Sequence, residues 1–176
     1  MPELTIFAID NSGSTGGEKE YWGKVTKLLK EADPNTQCIF WNSGVPQIVA
    51  KAKAIDIAER KHGTGATDPS TFIPVLYQAL ENNELPINLI LITDGQIAPS
   101  GNPDNKEQVI ACIAECDKLL KEKKAKFSEL KVYFVYTGGG IDLSVAAPFL
   151  RKADNYSYEY PEKIEKEEIK KIATHK

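Results

Sequence analysis

Two nearly continuous apolar runs, "LTIFAI" at Leu4 to Ile9 and "INLILIT" at Ile87 to Thr93, each stop at an aspartate, Asp10 and Asp94. A strand with polar residues at every second position can leave one face in water. A strand that is apolar throughout must be covered on both faces, as in a parallel sheet with helices above and below.

The segments around these runs supply the helices. Tyr21, Trp22, Val25, Leu28, Leu29 and Ala32 recur at helical spacing, and Asp33-Pro34 ends that helix. Gln37 to Trp41 reads as a second strand, and Gln47 to Ala50, after the turn "NSGVP", as its hairpin partner. Lys51 to Lys61 is ambiguous between helix and alternation. "PSTFIPVLYQALENN" reads as a helix with a Ser/Thr cap and Pro74 in its first turn. After "INLILIT" come a helix from about Asn105 to Lys124 and a strand at Val132 to Thr137. A short helix at Ser144 to Ala153, a strand at Tyr156 to Tyr160 and a charged helix at Lys163 to Ala173 complete the order.

Strands alternating with helices imply βαβ units. The expected fold is therefore α/β, a Rossmann-like doubly wound, mostly parallel six-stranded sheet with helices on both faces and one short antiparallel edge strand. A length of 176 residues suits one domain spanning 1–176. Ligands of such sheets bind beyond the carboxyl ends of the strands, where the strand order reverses.

Composition removes several functions. The net charge is −3 and lysines alternate with glutamates, so no basic stripe suggests nucleic acid. No apolar segment approaches the roughly 18 residues of a membrane span, and "MPELTIFAID" has no basic stretch before its apolar run, so neither a membrane segment nor a signal peptide is expected. The three cysteines match no disulfide or zinc spacing, which points to a reducing, cytoplasmic setting. Cys112 and Cys116, four residues apart, read as part of a buried helix face rather than as metal ligands. With only two histidines, His62 and His175, catalysis by a histidine pair is excluded by count.

What remains is a set of oxygen donors. Asp10, Ser12 and Ser14 follow the first strand in "DNSGS"; Thr67 lies in "HGTGATDPSTF"; Asp94 follows "INLILIT" in "TDG". Asp, Ser and Gly also build ordinary strand-to-helix turns and caps, and the first motif alone is open to either reading. Asp68 beside Thr67 reads as a cap, and the glycines Gly138 to Gly140 as a turn. If the two apolar strands are neighbours, the three loops converge, and two carboxylates with three hydroxyls suit a hard, oxygen-seeking cation such as Mg²⁺ or Mn²⁺.

"DNSGS", "GATD" and "TDG", in this order at strand ends, resemble the metal-ion-dependent adhesion site of the von Willebrand factor A domain family, over nearly the whole chain. Thr15 follows the second serine where the family often has an apolar residue, and Gly65-Ala66 precedes the threonine where it often has two glycines. Neither change removes a donor. The resemblance implies inner-shell roles for Ser12, Ser14 and Thr67, with Asp10 and Asp94 holding the serines and waters. It further implies a non-enzymatic binding module, working within a larger complex, whose cation captures an acidic residue of a protein partner.

Two alternatives belong to other classes. A Mg²⁺-dependent phosphoryl-transfer or hydrolytic enzyme would use the same carboxylates, but no second aspartate follows two residues after Asp10 and no phosphate-binding loop motif is present. A serine hydrolase would want a G-x-S-x-G elbow and an oriented histidine. A metal-free scaffold of the same fold is the other alternative.

Overall fold

A computed structural model describes residues 4–78, 87–94, 97–102, 104–122, 127–135 and 145–159. The elements in chain order are β1 (Leu4–Asp10), α1 (Lys19–Glu31), β2 (Gln37–Trp41), β3 (Gln47–Ala50), α2 (Lys51–Glu59), α3 (Ile73–Gln78), β4 (Ile87–Thr93), α4 (Lys106–Glu122), β5 (Phe127–Phe134), α5 (Ala147–Leu150) and β6 (Ala153–Glu159). Short 3₁₀ turns occupy Gly13–Thr15 and Pro69–Thr71.

The six strands form one sheet in the order β3-β2-β1-β4-β5-β6. All neighbours are parallel except the β2–β3 hairpin at the edge. From β1 the chain first winds outward to β2 and then returns to place β4 on the other side of β1. The strand order therefore reverses between β1 and β4, so that the loops following these two strands are adjacent.

The pleat sends alternate residues of the central strands to opposite faces. Ile6 and Ala8 of β1, Ile39 and Trp41 of β2, and Leu89 and Leu91 of β4 meet Phe72, Ile73, Cys116 and Phe149 on one face. Phe7, Ile9, Cys38, Phe40 and Ile92 meet Tyr21, Trp22, Val25 and Leu29 of α1 and Ala54 and Ala58 of α2 on the other. This is why the β1 and β4 sequences show no polar alternation. Cys112 and Cys116 are buried in the first of these cores as free thiols, as their apolar spacing suggested.

Three boundaries differ from the sequence reading: the starts of β5 and β6 and the extent of α5. β5 begins at Phe127, not Val132, because Ser128 is an extra residue in its register with β4: Ile87 pairs with Phe127 and Asn88 with Glu129. That bulge brings Phe127 and Leu130, three residues apart, into the same core and breaks the period of two on which a sequence reading depends. Ser128 donates to Asn88 Oδ1 at 2.9 Å across the irregularity. The segment read as a helix at Ser144 to Ala153 is helical only at Ala147–Leu150, and Ala153 already opens β6. Asp68 caps the turn before α3 as its place beside Pro69 suggests, accepting from the backbone N–H of Ser70 at 3.0 Å, whereas the Ser/Thr cap expected for that segment is not the one formed. Lys51 to Lys61 resolves as a helix that ends at Glu59. The glycines Gly138 to Gly140 and the charged segment Lys163 to Ala173 lie outside the described residues.

Candidate metal centre

Asp10 is the last residue of β1 and is completely buried. Its Oδ1 accepts from the backbone N–H of Ser12 at 2.9 Å, and its Oδ2 accepts from the Thr93 hydroxyl at 2.8 Å. The second bond follows from register: Ile9 pairs with Ile92, so the next residues, Asp10 and Thr93, come side by side.

Ser12 stands at the N-cap position of the Gly13–Thr15 turn, yet its side chain makes no capping bond. Thr15 instead closes the turn, its hydroxyl donating to the Ser12 carbonyl at 2.7 Å, and Trp22 Nε1 donates to the Thr15 carbonyl at 2.7 Å. The loop is thus anchored to α1, and the Ser12 hydroxyl is left facing its neighbours in the site. It lies 3.4 Å from the Ser14 hydroxyl, which in turn donates to Asp94 Oδ2. The turn-and-cap reading of the motif accounts for Thr15 and leaves Ser12 and Ser14 unexplained.

Thr67 reaches the same rim through backbone pairing. Its N–H and carbonyl exchange hydrogen bonds with Ala98 at 3.0 and 2.9 Å, just beyond the end of β4. The preceding Gly65 carbonyl accepts from the Gly13 N–H at 2.9 Å, joining this loop to the serine loop. The Thr67 side chain is 6% exposed, and its hydroxyl has no hydrogen-bond partner among the described residues. The structure therefore brings all five sequence-derived residues to the three loops at the β1–β4 reversal. It links Asp10, Ser12, Ser14 and Asp94 by short contacts and sets Thr67 in the loop alongside.

Electrostatics fit a cation. Asp10 is pushed up to about 7, first by burial and then by the negative charge of Asp94, against the lowering effect of the Ser12 and Thr93 hydrogen bonds. A positive ion between the two carboxylates would remove that repulsion. Two cis ligands of an octahedral Mg²⁺, at about 2.1 Å from the ion, are roughly 3.0 Å apart by geometry, comparable with the serine hydroxyl separation. Among the described residues no cluster of three or more His, Cys, Asp or Glu side chains occurs. The oxygens gathered here are those of hydroxyls and two carboxylates, a set that would fit Mg²⁺ or Mn²⁺ and not zinc.

Two further residues shape the site and were not read from the sequence. Thr93 closes the apolar strand, and the sequence pattern marks it only as part of that strand. Tyr21 falls on the apolar face of α1 by its spacing, but its hydroxyl is shared between the Asp10 and Ile92 carbonyls, spanning β1 and β4. Burial, and then the charges of Asp10 and Asp94, hold its phenol well above the ordinary range. A Thr directly before Asp94 was the available signal for the first; nothing in the helical pattern marked the second.

No protein-family model and no curated protein matches the sequence. Solved structures do share the fold. BatB from Bacteroides thetaiotaomicron, a conserved hypothetical protein, aligns over 98% of this chain and 96% of its own, at TM-score 0.58 and 13% identity. An aerotolerance-related membrane protein from Bacteroides fragilis aligns over 97% and 100%, at TM-score 0.57 and 11% identity. A von Willebrand factor type A protein from Catenulispora acidiphila aligns over 97% of this chain but 40% of its own, at TM-score 0.55 and 14% identity. The chain has a von Willebrand factor A-like fold. Among its described residues no helix is long and apolar enough to cross a membrane.

Proposed function

We propose that this protein is a protein-interaction module that binds Mg²⁺ or Mn²⁺ at Asp10, Ser12, Ser14, Thr67 and Asp94 and uses the ion to hold an acidic side chain of a partner. The observation that carries this reading is the uncapped Ser12 hydroxyl, 3.4 Å from Ser14, which itself bonds Asp94 at the strand reversal. Hydroxyls placed beside two carboxylates, and not used by the turn that contains them, are donors available to an ion.

In this reading Ser12, Ser14 and Thr67 offer neutral oxygens directly. Asp10 orients the loop through the Ser12 N–H, and Asp94 orients Ser14. The bound ion supplies Lewis acidity. Three of the five donors are neutral, which leaves the ion electrophilic toward a carboxylate from outside. In this reading the Ser14–Asp94 bond orients a ligand oxygen toward the ion and does not activate a nucleophile.

The test is a thermal melt of chelated protein titrated with Mg²⁺, Mn²⁺ and Ca²⁺. A ligand of the folded state raises the midpoint by mass action, so the wild type should show a saturable rise that Asp94→Ala and the paired Ser12→Ala and Ser14→Ala variant lack. A flat wild-type melt up to about 10 mM Mg²⁺ and Mn²⁺ would move the reading to a metal-free scaffold.

A further inference from the structure

A cavity of about 470 Å³ opens beside the metal centre, lined by Asn11, Gln47, Lys53, Ile57, Arg60 and His62. Lys53, Ile57 and Arg60 are spaced i, i+4, i+7 along α2 and its end, which puts them on one face. Neither the Lys53 ammonium nor the Arg60 guanidinium has an ion pair or hydrogen bond among the described residues. Among the described residues they stand unpaired although the chain is net negative and Asp56 and Glu59 lie on the same helix. Asp56 is outside the cavity lining, and Glu59 lines a separate groove against α1.

His62 joins these cations through a backbone reversal. Lys61 adopts φ 52°, and its N–H bonds the Ala58 carbonyl at 3.1 Å while its carbonyl accepts from Gly17 at 2.8 Å. The chain then turns into Gly63, which lies against Ser12 and Gly16 of the metal-centre loop. Asn11, between Asp10 and Ser12, also lines the cavity. Its backbone is fixed by bonds to Trp41 and Thr64, both 2.9 Å, and its side-chain Oδ1 is buried with no hydrogen-bond partner among the described residues. A buried carbonyl without a donor is unfavourable until something supplies one.

We propose that this cavity is a second acidic subsite, so that the ligand of the domain is a protein segment carrying two carboxylates, one directed to the metal centre and one to Lys53 and Arg60. The proposal rests on the metal-centred reading above and adds the class of partner. A peptide carries on one chain both a carboxylate for the metal centre and a second for the two cations of the cavity, which inorganic phosphate does not. Asn11 is one peptide unit, about 3.8 Å between Cα atoms, from both Asp10 and Ser12, so the two subsites share one loop. In an extended segment, acids at i and i+2 fall on the same side about 7 Å apart, a span suited to neighbouring subsites.

The experiment is an NMR titration of ¹⁵N-labelled protein with two blocked peptides, acetyl-Gly-Glu-Gly-Glu-Gly-amide and the same peptide with Gln for the second Glu. Each is run in Mg²⁺ and in chelator, on wild type and on a Lys53→Gln/Arg60→Gln variant. In Mg²⁺ at low salt the two-acid peptide should bind at least about fivefold tighter, as expected for added exposed charge pairs, and move the amide signals of Asn11, Lys53, Arg60 and His62. The double variant should lose that advantage and keep its Mg²⁺-dependent melting shift. No difference between the peptides, whether both bind or neither does, overturns the subsite; so does an advantage that survives in the double variant. If the two-acid peptide moves the same signals equally in chelator and in Mg²⁺, the subsite stands and the metal-centred reading falls.

Discussion

The Thr93 hydroxyl donates to Asp10 Oδ2 at 2.8 Å, across the line where the strand order of the sheet reverses. Both residues are fully buried, so this bond replaces water for half of a carboxylate that solvent does not reach. Thr93→Val keeps the shape and removes the donor. At neutral pH it should destabilise the protein by about 1–3 kcal/mol, the cost of a buried acceptor left short. Thr93→Ser should recover much of the loss. Urea melts of the three proteins check this, and equal midpoints for wild type and Thr93→Val would show that the bond contributes nothing.

Asp10 also sets a pH dependence in metal-free protein. Its folded pKa is raised from 3.8 to about 7, by burial first and Asp94 second, so the folded state holds this proton more tightly than the unfolded chain. The contribution to stability is fully present below the unfolded value and is lost as pH rises toward the folded one. Asp10→Asn carries no such charge. In chelator, its stability relative to wild type should therefore climb between about pH 4 and pH 7 and level off above. Excess Mg²⁺ should reduce that relative gain, since only the wild type offers the ion an Asp10 carboxylate. A difference independent of pH would mean that Asp10 is not held in this state.

Lys61 is the one described non-glycine residue with positive φ, at 52°. It follows α2, where a left-handed residue ends the helix and where Gly avoids the steric conflict of a β-carbon. Lys61→Gly should raise stability by roughly 0.5–1 kcal/mol, the left-handed penalty less the extra backbone freedom of Gly when unfolded. Lys61→Val should lower it. A urea midpoint that falls in the glycine variant would contradict the conformation of this residue.

The parts of this fold that were legible are those governed by one period at a time. β1, β2, β3 and β4 could be bounded from sequence because their residues are apolar on both faces or end at sharp turns. β5 and β6 could not, because a bulge at Ser128 and polar residues such as Asp154 and Asn155 disturb the pattern at that side of the sheet. At the site, the donors Asp10, Ser12, Ser14, Thr67 and Asp94 are visible as residue types in loops. Thr93 and Tyr21 act through register and through a bond across two strands, and neither relation exists until β1 and β4 are paired. The cavity beside Asn11 was hidden for the same reason: it joins β1, β3, α2 and the loop after it, segments that no local spacing relates.

Gly63 gives a separate test of how the loop that carries Ser12 and Ser14 is held. Its backbone has no special φ, so a side chain there is opposed by space alone: an added β-carbon would come within 2.5 Å of the Gly16 nitrogen, the Ser12 carbonyl and the Thr15 hydroxyl. Two of these are backbone atoms of the loop that carries the serines, and they can yield only if that loop moves. Gly63→Ala should therefore cost about 1–3 kcal/mol and also weaken the Mg²⁺-dependent rise in melting temperature. Gly17→Ala is the control. Gly17 has φ 73° with open space around its would-be β-carbon, so its substitution should cost about 1 kcal/mol through backbone strain while the response to Mg²⁺ stays intact. If both variants lost stability equally and both kept the full response to Mg²⁺, the close approach of Gly63 to Ser12 would have no bearing on the ion.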